Sequence, residues 1–437
     1  MTSVSRGSHF LLAQRLLKSL DSTRVLPLSS VKVLETPLDF HGHICETIKN
    51  AHHQVCLASL YLGTGSKPEE ALLLQCLGQC RLKGVATRIL MDANRGTRPV
   101  GKPPNQTSAA HAVHEALQDR VHLYQTLKKP LASLPTPLNE AVGVFHLKSY
   151  ITDDSLMLSG ANLSQEYFTD RQDRYVVFEK ERELAEFYRE LVEILSLNAQ
   201  TYPFEETQQK RYPEEMVDAL SRLFQPTDYN VDSDDGVVAY SIPTFAHPGL
   251  SLPFPTDTQQ LATLLTTTAE EGLTIKLASA YLNPTRPFLK LLAAQTDCTL
   301  LTASPQSHGF APKPGVKRTG DFVPKFFAHQ SRQLSEKFHL LCYNRPGWTF
   351  HAKGVWVLSR EGNLVAAVVG SGNYGYRSEK RDVESNLVLI FPNETSSIQE
   401  ELLQEWKRLC EHAEEPTFRE PTQRHVRAFW PWIQSYF

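Results

Sequence analysis

Nowhere does the 437-residue sequence contain an apolar run approaching the roughly 18 residues that read as a membrane-spanning helix. It also lacks an excess of either charge. The 45 basic residues stand against 48 acidic ones for a net charge of -3, which argues against a bulk nucleic-acid binder, whose groove needs a net basic face. Cysteine is sparse: seven residues, of which the closest two, Cys76 and Cys80, sit at helical rather than CxxC spacing. An odd, unpaired set fits reduced thiols in an intracellular compartment better than a disulfide framework or a zinc site. HExxH, clustered Asp-x-Asp and the Walker GxxxxGK[ST] are missing, and GTG at residues 63–65 is too short for a nucleotide loop. The expectation is chemistry with neither a metal nor a cofactor.

What the sequence does contain is itself, twice. Its length suits two domains or two halves sharing an interface. CLASLYLG at residues 56–63 is echoed by KLASAYLN at 276–283, both reading as buried strands. A second apolar run follows in each half, TRILMDANRG from Thr87 and CTLLTASPQ from Cys298. Next come VFHLK and TFHAK, then SGAN ending at Asn162 and GSGN ending at Asn373. Eleven residues past each asparagine stands a carboxylate, Asp173 and Glu384. Each half closes with a strand and an amphipathic helix. One carries Leu184, Phe187, Tyr188, Leu191, Val192 and Leu195 at helical spacing, the other Ile398, Leu402, Trp406 and Leu409. The order predicts an α/β fold duplicated about a pseudo-twofold axis. Its parts are a basic amphipathic segment over 1–29, halves over 30–201 and 241–415, a linker with one short helix over 202–240, and an aromatic tail over 416–437.

Two His-x-Lys pairs at matching places carry the chemistry. Residues two apart on extended chain share a face, so His146 with Lys148 and His351 with Lys353 look into the seam between halves. Two lysines, Asn162, Asn373 and the Ser371 hydroxyl converging there suit a phosphate or phosphodiester. A neutral imidazole can attack phosphorus and split one displacement into two, while the second histidine moves protons. Each ring needs an acceptor on its other nitrogen, and Asp173 and Glu384 are the expected pair.

HLKSYITD with its GSxN-like turn resembles the phospholipase D superfamily signature, HxKxxxxD followed by GSxN. The runs SLYLG, HLKSYITDDSLMLSGANLSQEYFTDRQDRY, FHAKGVW and GSGNYGYRSEKRDVE resemble, more narrowly, its eukaryotic phosphatidylglycerophosphate synthase branch, over residues 30–415. The resemblance implies two α/β/α halves with the site at their seam. It also implies transfer of a phosphatidyl group from CDP-diacylglycerol to sn-glycerol 3-phosphate, releasing CMP, on the path to phosphatidylglycerol and cardiolipin. His146 would be the nucleophile, and Asp153 would complete the motif, mainly by supporting the fold around it. Arg171, Arg377, Lys380 and Arg381 are the cations expected near the acceptor phosphate. In the second set Leu358 replaces the motif aspartate and the turn comes five residues late; in the first the turn comes one residue early.

A hydrolase or nuclease of the same superfamily and a silent lipid-binding scaffold remain as alternatives. Mitochondrial placement, peripheral on the matrix face of the inner membrane, also follows from the resemblance. The N-terminal run, with Asp21 its only acid, reads either as a targeting segment or as a first helix packed through Phe10, Leu12, Leu16, Leu17 and Leu20. Two stretches suit an anionic membrane surface: the tail RAFWPWIQSYF, and Lys313, Lys317, Arg318 and Lys325 beside Phe322, Phe326 and Phe327.

Overall fold

The computed structural model describes residues 2–126, 143–204, 213–229, 236–311, 322–394 and 396–417. The acidic run from Asp232, the cations Lys313, Lys317 and Arg318, and the aromatic tail beyond residue 417 lie outside the described residues.

Two large sheets repeat one order. The first runs Gln200–Tyr202, Val121–Tyr124, Ala86–Asp92, Gln54–Ser59, Ser149–Thr152, Ser155–Ser159, Tyr175–Phe178, Lys32–Leu34. The second runs Ala413–Glu414, His339–Tyr343, Asp297–Ala303, Thr274–Ser279, Lys353–Leu358, Leu364–Gly370, Asn386–Ile390, Ala239–Pro243. In both, the strand carrying Leu-Ala-Ser pairs parallel to the next apolar strand and antiparallel to the one that follows His-x-Lys. Both faces of each sheet are covered, which explains the near-continuous apolar strands. Along Gln54–Ser59, Val55 and Leu57 pack outward and Cys56 and Ala58 inward.

The result is five layers. Helices Pro37–Asn50, Pro68–Leu82 and Ala109–Leu117 cover the outer face of the first sheet through Phe40, Ile44, Leu73, Leu77 and Val113. Helices Arg182–Leu197 and Ser397–Cys410 fill the central layer with the two apolar stripes the sequence predicts. The linker contributes more than a connection. Its helix Pro213–Leu223 buries Met216, Leu220 and Leu223 in that same central core.

The N-terminal segment does not stand apart from the halves. Helix Thr2–Leu20 buries Ala13, Leu16, Leu17 and Leu20 against Leu264, Leu265 and Val365 of the C-terminal half, while Phe10 and Leu12 are only half-buried. Strand Leu26–Leu28 then adds to the edge of the C-terminal sheet, Leu26 opposite Ser241. Helix Thr2–Leu20 and strand Leu26–Leu28 therefore complete the second half, more than 200 positions downstream.

The two hairpins after His-x-Lys explain the unequal motif spacing. In the first half Thr152 pairs with Ser155 across a two-residue turn, with Asp153 at φ 52. The Asp153 carboxylate accepts the backbone N–H groups of His52, His53 and Gln54 at 3.0, 2.8 and 2.9 Å. Burial opposes its ionisation, but those donors outweigh it and hold the carboxyl below its usual value. In the second half the strand runs on to Leu358, which pairs with Leu364 across a longer turn. A strand residue packed into the central core has no loop to tie, so leucine suffices.

Candidate active site

Each histidine is delivered to the seam by a short extended lead-in that pairs with the other half. Phe145 bridges parallel to Val383, and Phe350 pairs parallel with Gln172. The His146 N–H then donates to Val383 O at 2.9 Å and the His351 N–H to Gln172 O at 2.8 Å. The next residue along each partner strand is a carboxylate. His146 Nδ1 lies 2.8 Å from Glu384 Oε1, and His351 Nδ1 lies 2.6 Å from Asp173 Oδ2. Both orienting carboxylates expected from the sequence are present, each serving the histidine of the opposite half.

All of these groups are buried, and burial sets their protonation. It pushes His146 and His351 well below the usual imidazole value, with Lys148 and Lys353 respectively the next cause, so both rings are neutral near pH 7. It raises Asp173 to about 6 and raises Glu384 as well. It lowers Lys148 to about 7 and Lys353 to about 8. A carboxylate on each Nδ1 fixes the proton there and leaves the Nε2 lone pair for chemistry. Lys353 Nζ also approaches His351 Nδ1 at 2.6 Å and Nε2 at 3.3 Å, and it donates one hydrogen to the carbonyl of His351 at 2.6 Å. Among the described residues no three His, Cys, Asp or Glu side chains are grouped as metal ligands would be.

The site opens into a cavity of about 300 Å³ lined by His146, His351, Asn162, Asn373, Arg171 and Arg377, among others. Arg171 donates to Thr349 Oγ1 at 3.0 Å and faces Glu166 at 3.8 Å; Arg377 is held by both oxygens of Asp382 at 2.9 and 3.2 Å. The Asn373 amide oxygen is buried with no partner, whereas Asn162 donates to Tyr167.

Other expected residues fall elsewhere. Lys148 and Lys353 lie beneath the cavity wall, each donating to the carbonyl of its own histidine. Ser371 does not face the cavity, because its hydroxyl is spent on Glu384. Its counterpart is Gly160, where a Cβ would fall 2.4 Å from Lys353 Cδ and 2.6 Å from Asp173 Oδ1. The altered SGAN turn thus leaves room for Lys353. Asp153 is a turn residue at the far end of its strand, outside the cavity. Lys380 pairs with Glu379 at 2.7 Å with its side chain 54 % exposed, and Arg381 stacks on Tyr376; neither lines the cavity. Phe326 and Phe327 are buried, so they offer nothing to a membrane surface.

Several cavity residues escaped the sequence reading. Tyr61 and Tyr281 stand at the same place in the repeated Leu-Ala-Ser-x-Tyr-Leu, yet that repeat signalled only strands. Tyr61 donates to Glu166 at 2.9 Å, and the Tyr281 ring meets His351 edge-on at 5.7 Å. Tyr167 and Ser378 each lie five residues past an asparagine of the repeat. Glu166 with Arg171 and Arg377 with Asp382 occupy matching positions with the charges reversed. Continuing the alignment of halves past the turns brings these positions opposite one another, but only the two tyrosines of the strand repeat match in residue type.

Two neutral histidines facing one cavity, each backed by a lysine and oriented by the opposite half's carboxylate, define a phospholipase D-type phosphoryl-transfer centre. The fold agrees: phosphatidylserine synthase from Haemophilus influenzae superposes with a TM-score of 0.74 over 97% of this chain and all of that one, at 17% identity. Residues 44–195 match the family described as cardiolipin synthase, PLD-like domain. The human mitochondrial CDP-diacylglycerol–glycerol-3-phosphate 3-phosphatidyltransferase is 30% identical over 94% of this chain and 83% of its own length. A probable enzyme of that name from Dictyostelium discoideum is also 30% identical, over 84% of this chain and 70% of its own. The chain belongs to the CDP-diacylglycerol–glycerol-3-phosphate 3-phosphatidyltransferase family.

Proposed function

We propose that the protein transfers the phosphatidyl group of CDP-diacylglycerol to sn-glycerol 3-phosphate, giving phosphatidylglycerol phosphate and CMP. The observation that carries this reading is the pair of cross-half histidine–carboxylate couples on one cavity, in a chain of this family. In the first step His146 Nε2 attacks the phosphorus bearing diacylglycerol. An N–P bond forms, the P–O bond to CMP breaks, and the proton stays on His146 Nδ1, donated to Glu384. In the second step the glycerol hydroxyl attacks the same phosphorus, its proton passes towards His351, and His146 is released. Nε2 of His146 supports this order, since among the described residues no hydrogen bond reaches it, while a hydroxyl caps Nε2 of His351.

Arg171 and Arg377 line the cavity and supply positive charge for the acceptor phosphate, and Asn373 offers an unused amide oxygen that can accept from a substrate hydroxyl. At about 300 Å³ the cavity takes the polar centre of the donor and leaves the acyl chains outside. Phe310 on its rim, 42 % exposed, offers apolar surface to them. No helix among the described residues is long and apolar enough to cross a membrane, and peripheral contact from the matrix side of the inner mitochondrial membrane fits this reading. The mitochondrial names of the curated relatives support the organelle.

The test is incubation of the purified chain with labelled CDP-diacylglycerol in chelator, with and without glycerol 3-phosphate. Phosphatidylglycerol phosphate forming only with the acceptor, and CMP exceeding one equivalent per enzyme only then, is the expected result. Phosphatidic acid forming regardless of the acceptor would make the protein a hydrolase.

A further inference from the structure

We propose that Tyr167 relays the acceptor's proton to His351, which makes the second-half histidine the acid–base partner and leaves His146 to carry the covalent step. The inference rests on the transferase reading above and asks what makes two such similar halves unequal.

Around the cavity many positions of one half have a counterpart in the other, and the position five past each asparagine is one where the two side chains differ in reach. In the second half it is Ser378, whose short side chain stays within its own half. Its hydroxyl donates to Glu384 at 3.0 Å and accepts the Asn373 N–H at 3.1 Å. In the first half it is Tyr167, long enough to cross the seam. Its hydroxyl lies 3.3 Å from His351 Nε2, and its ring meets the imidazole edge-on at 5.1 Å. Asp173 holds the proton on His351 Nδ1, so Nε2 carries the lone pair and the phenol donates to it.

The phenolic oxygen is prepared for transient negative charge. It accepts Asn162 Nδ2 at 3.1 Å, and the Arg171 guanidinium lies over its ring at 4.6 Å. Burial keeps the phenol protonated, well above its usual value, so Tyr167 is a conduit and not a standing base.

The reaction needs such a conduit in only one direction. CMP departs as a phosphate monoester whose second pKa is about 6, and requires no proton to leave. The glycerol hydroxyl is a far weaker acid and must lose its proton as it attacks. As the acceptor O–P bond forms and the His146 N–P bond breaks, the acceptor proton moves to the Tyr167 oxygen and the Tyr167 proton to His351 Nε2. Asp173 stabilises the resulting imidazolium, which returns its proton to solvent as product leaves. Tyr167 stands on the side of the site that handles the alcohol.

Exchange of labelled CMP into CDP-diacylglycerol without acceptor reports the His146 half-reaction alone, while phosphatidylglycerol phosphate formation reports both. In Tyr167→Phe, exchange should persist within about threefold of wild type while transfer falls by roughly 100-fold, the low end for general acid–base catalysis. Tyr167→Met, smaller and flexible but also without the hydroxyl, repeats the comparison should phenylalanine not be tolerated. Parallel loss of exchange and transfer, or retention of both, overturns the proposal, as does a wild-type enzyme that transfers without any exchange. A wild-type protein that forms no phosphatidylglycerol phosphate overturns the functional reading instead, so the two failures are distinguishable.

Discussion

Glu384 and Asp173 perform one task by different means. Glu384 is fixed by the hydroxyls of Ser371 and Ser378, whereas Asp173 accepts the Arg174 N–H at 2.9 Å and faces Lys353 at 3.7 Å. Their burial makes activity sensitive to pH on both sides. As pH falls through about 6, Asp173 takes up a proton and no longer supports the His351 imidazolium. As pH rises through about 7 and then about 8, Lys148 and Lys353 lose the charge that attracts phosphate. kcat/KM measured from pH 5 to 9 should therefore peak between these values, and a plateau persisting to pH 9 would show that the lysine charges are not needed. The histidines, lysines, asparagines and both carboxylates were legible because each occurs twice at matching spacing. Which carboxylate serves which histidine was not, since the chain order is the same whether they pair within a half or across. Tyr167 stayed hidden because its counterpart is a serine: function there lies in the difference between halves, which a search for repetition passes over.

At the scale of elements, the hairpin after each His-x-Lys separates fold from chemistry. Asp153 ties the loop at His52 to Gln54, and Leu358 extends a strand opposite Thr274. Restoring the motif with Leu358→Asp would bury a carboxylate in the central core, where Trp356 and Trp406 pack at 5.0 Å. It should destabilise by about 3 kcal/mol or more in denaturant unfolding and leave turnover per folded molecule no higher. A gain in activity would mean that the aspartate does chemistry. The repeated strands and the two closing amphipathic helices were readable from period alone. The first helix was readable as amphipathic, but not its destination, because its apolar stripe specifies burial and says nothing of a partner over 200 residues away. Helix Phe322–Ser335 misled for a related reason. Lysines near Phe326 and Phe327 suggested an exposed face, yet the two rings turn inward, Phe327 towards Tyr281 at 5.8 Å.

At the scale of the molecule, the site exists only because the halves interlock. Arg174 binds Glu405 through two hydrogen bonds, of 2.9 and 2.8 Å, donates to the carbonyls of Lys353 and Val368, and lies over the Trp356 ring at 3.9 Å. It thereby ties the strand end bearing Asp173 to the strand bearing Lys353, and Gly354 leaves it room, since a Cβ there would meet its guanidinium at 1.6 Å. The duplication was legible at this scale, while the crossed pairing that completes the site was not, being a contact between chain segments 178 and 238 positions apart. Both histidines share the crossed arrangement, and the Nε2 of His146, uncapped among the described residues, against the Tyr167-capped Nε2 of His351, assigns the covalent role to His146. Intact-protein mass spectrometry after incubation with CDP-diacylglycerol alone, at neutral pH, tests this assignment most directly. A phosphatidyl adduct on wild type and on His351→Ala, absent from His146→Ala, is the predicted result. An adduct that persists in His146→Ala would give the covalent role to another residue, and a fully active wild type that never carries one would exclude a covalent step.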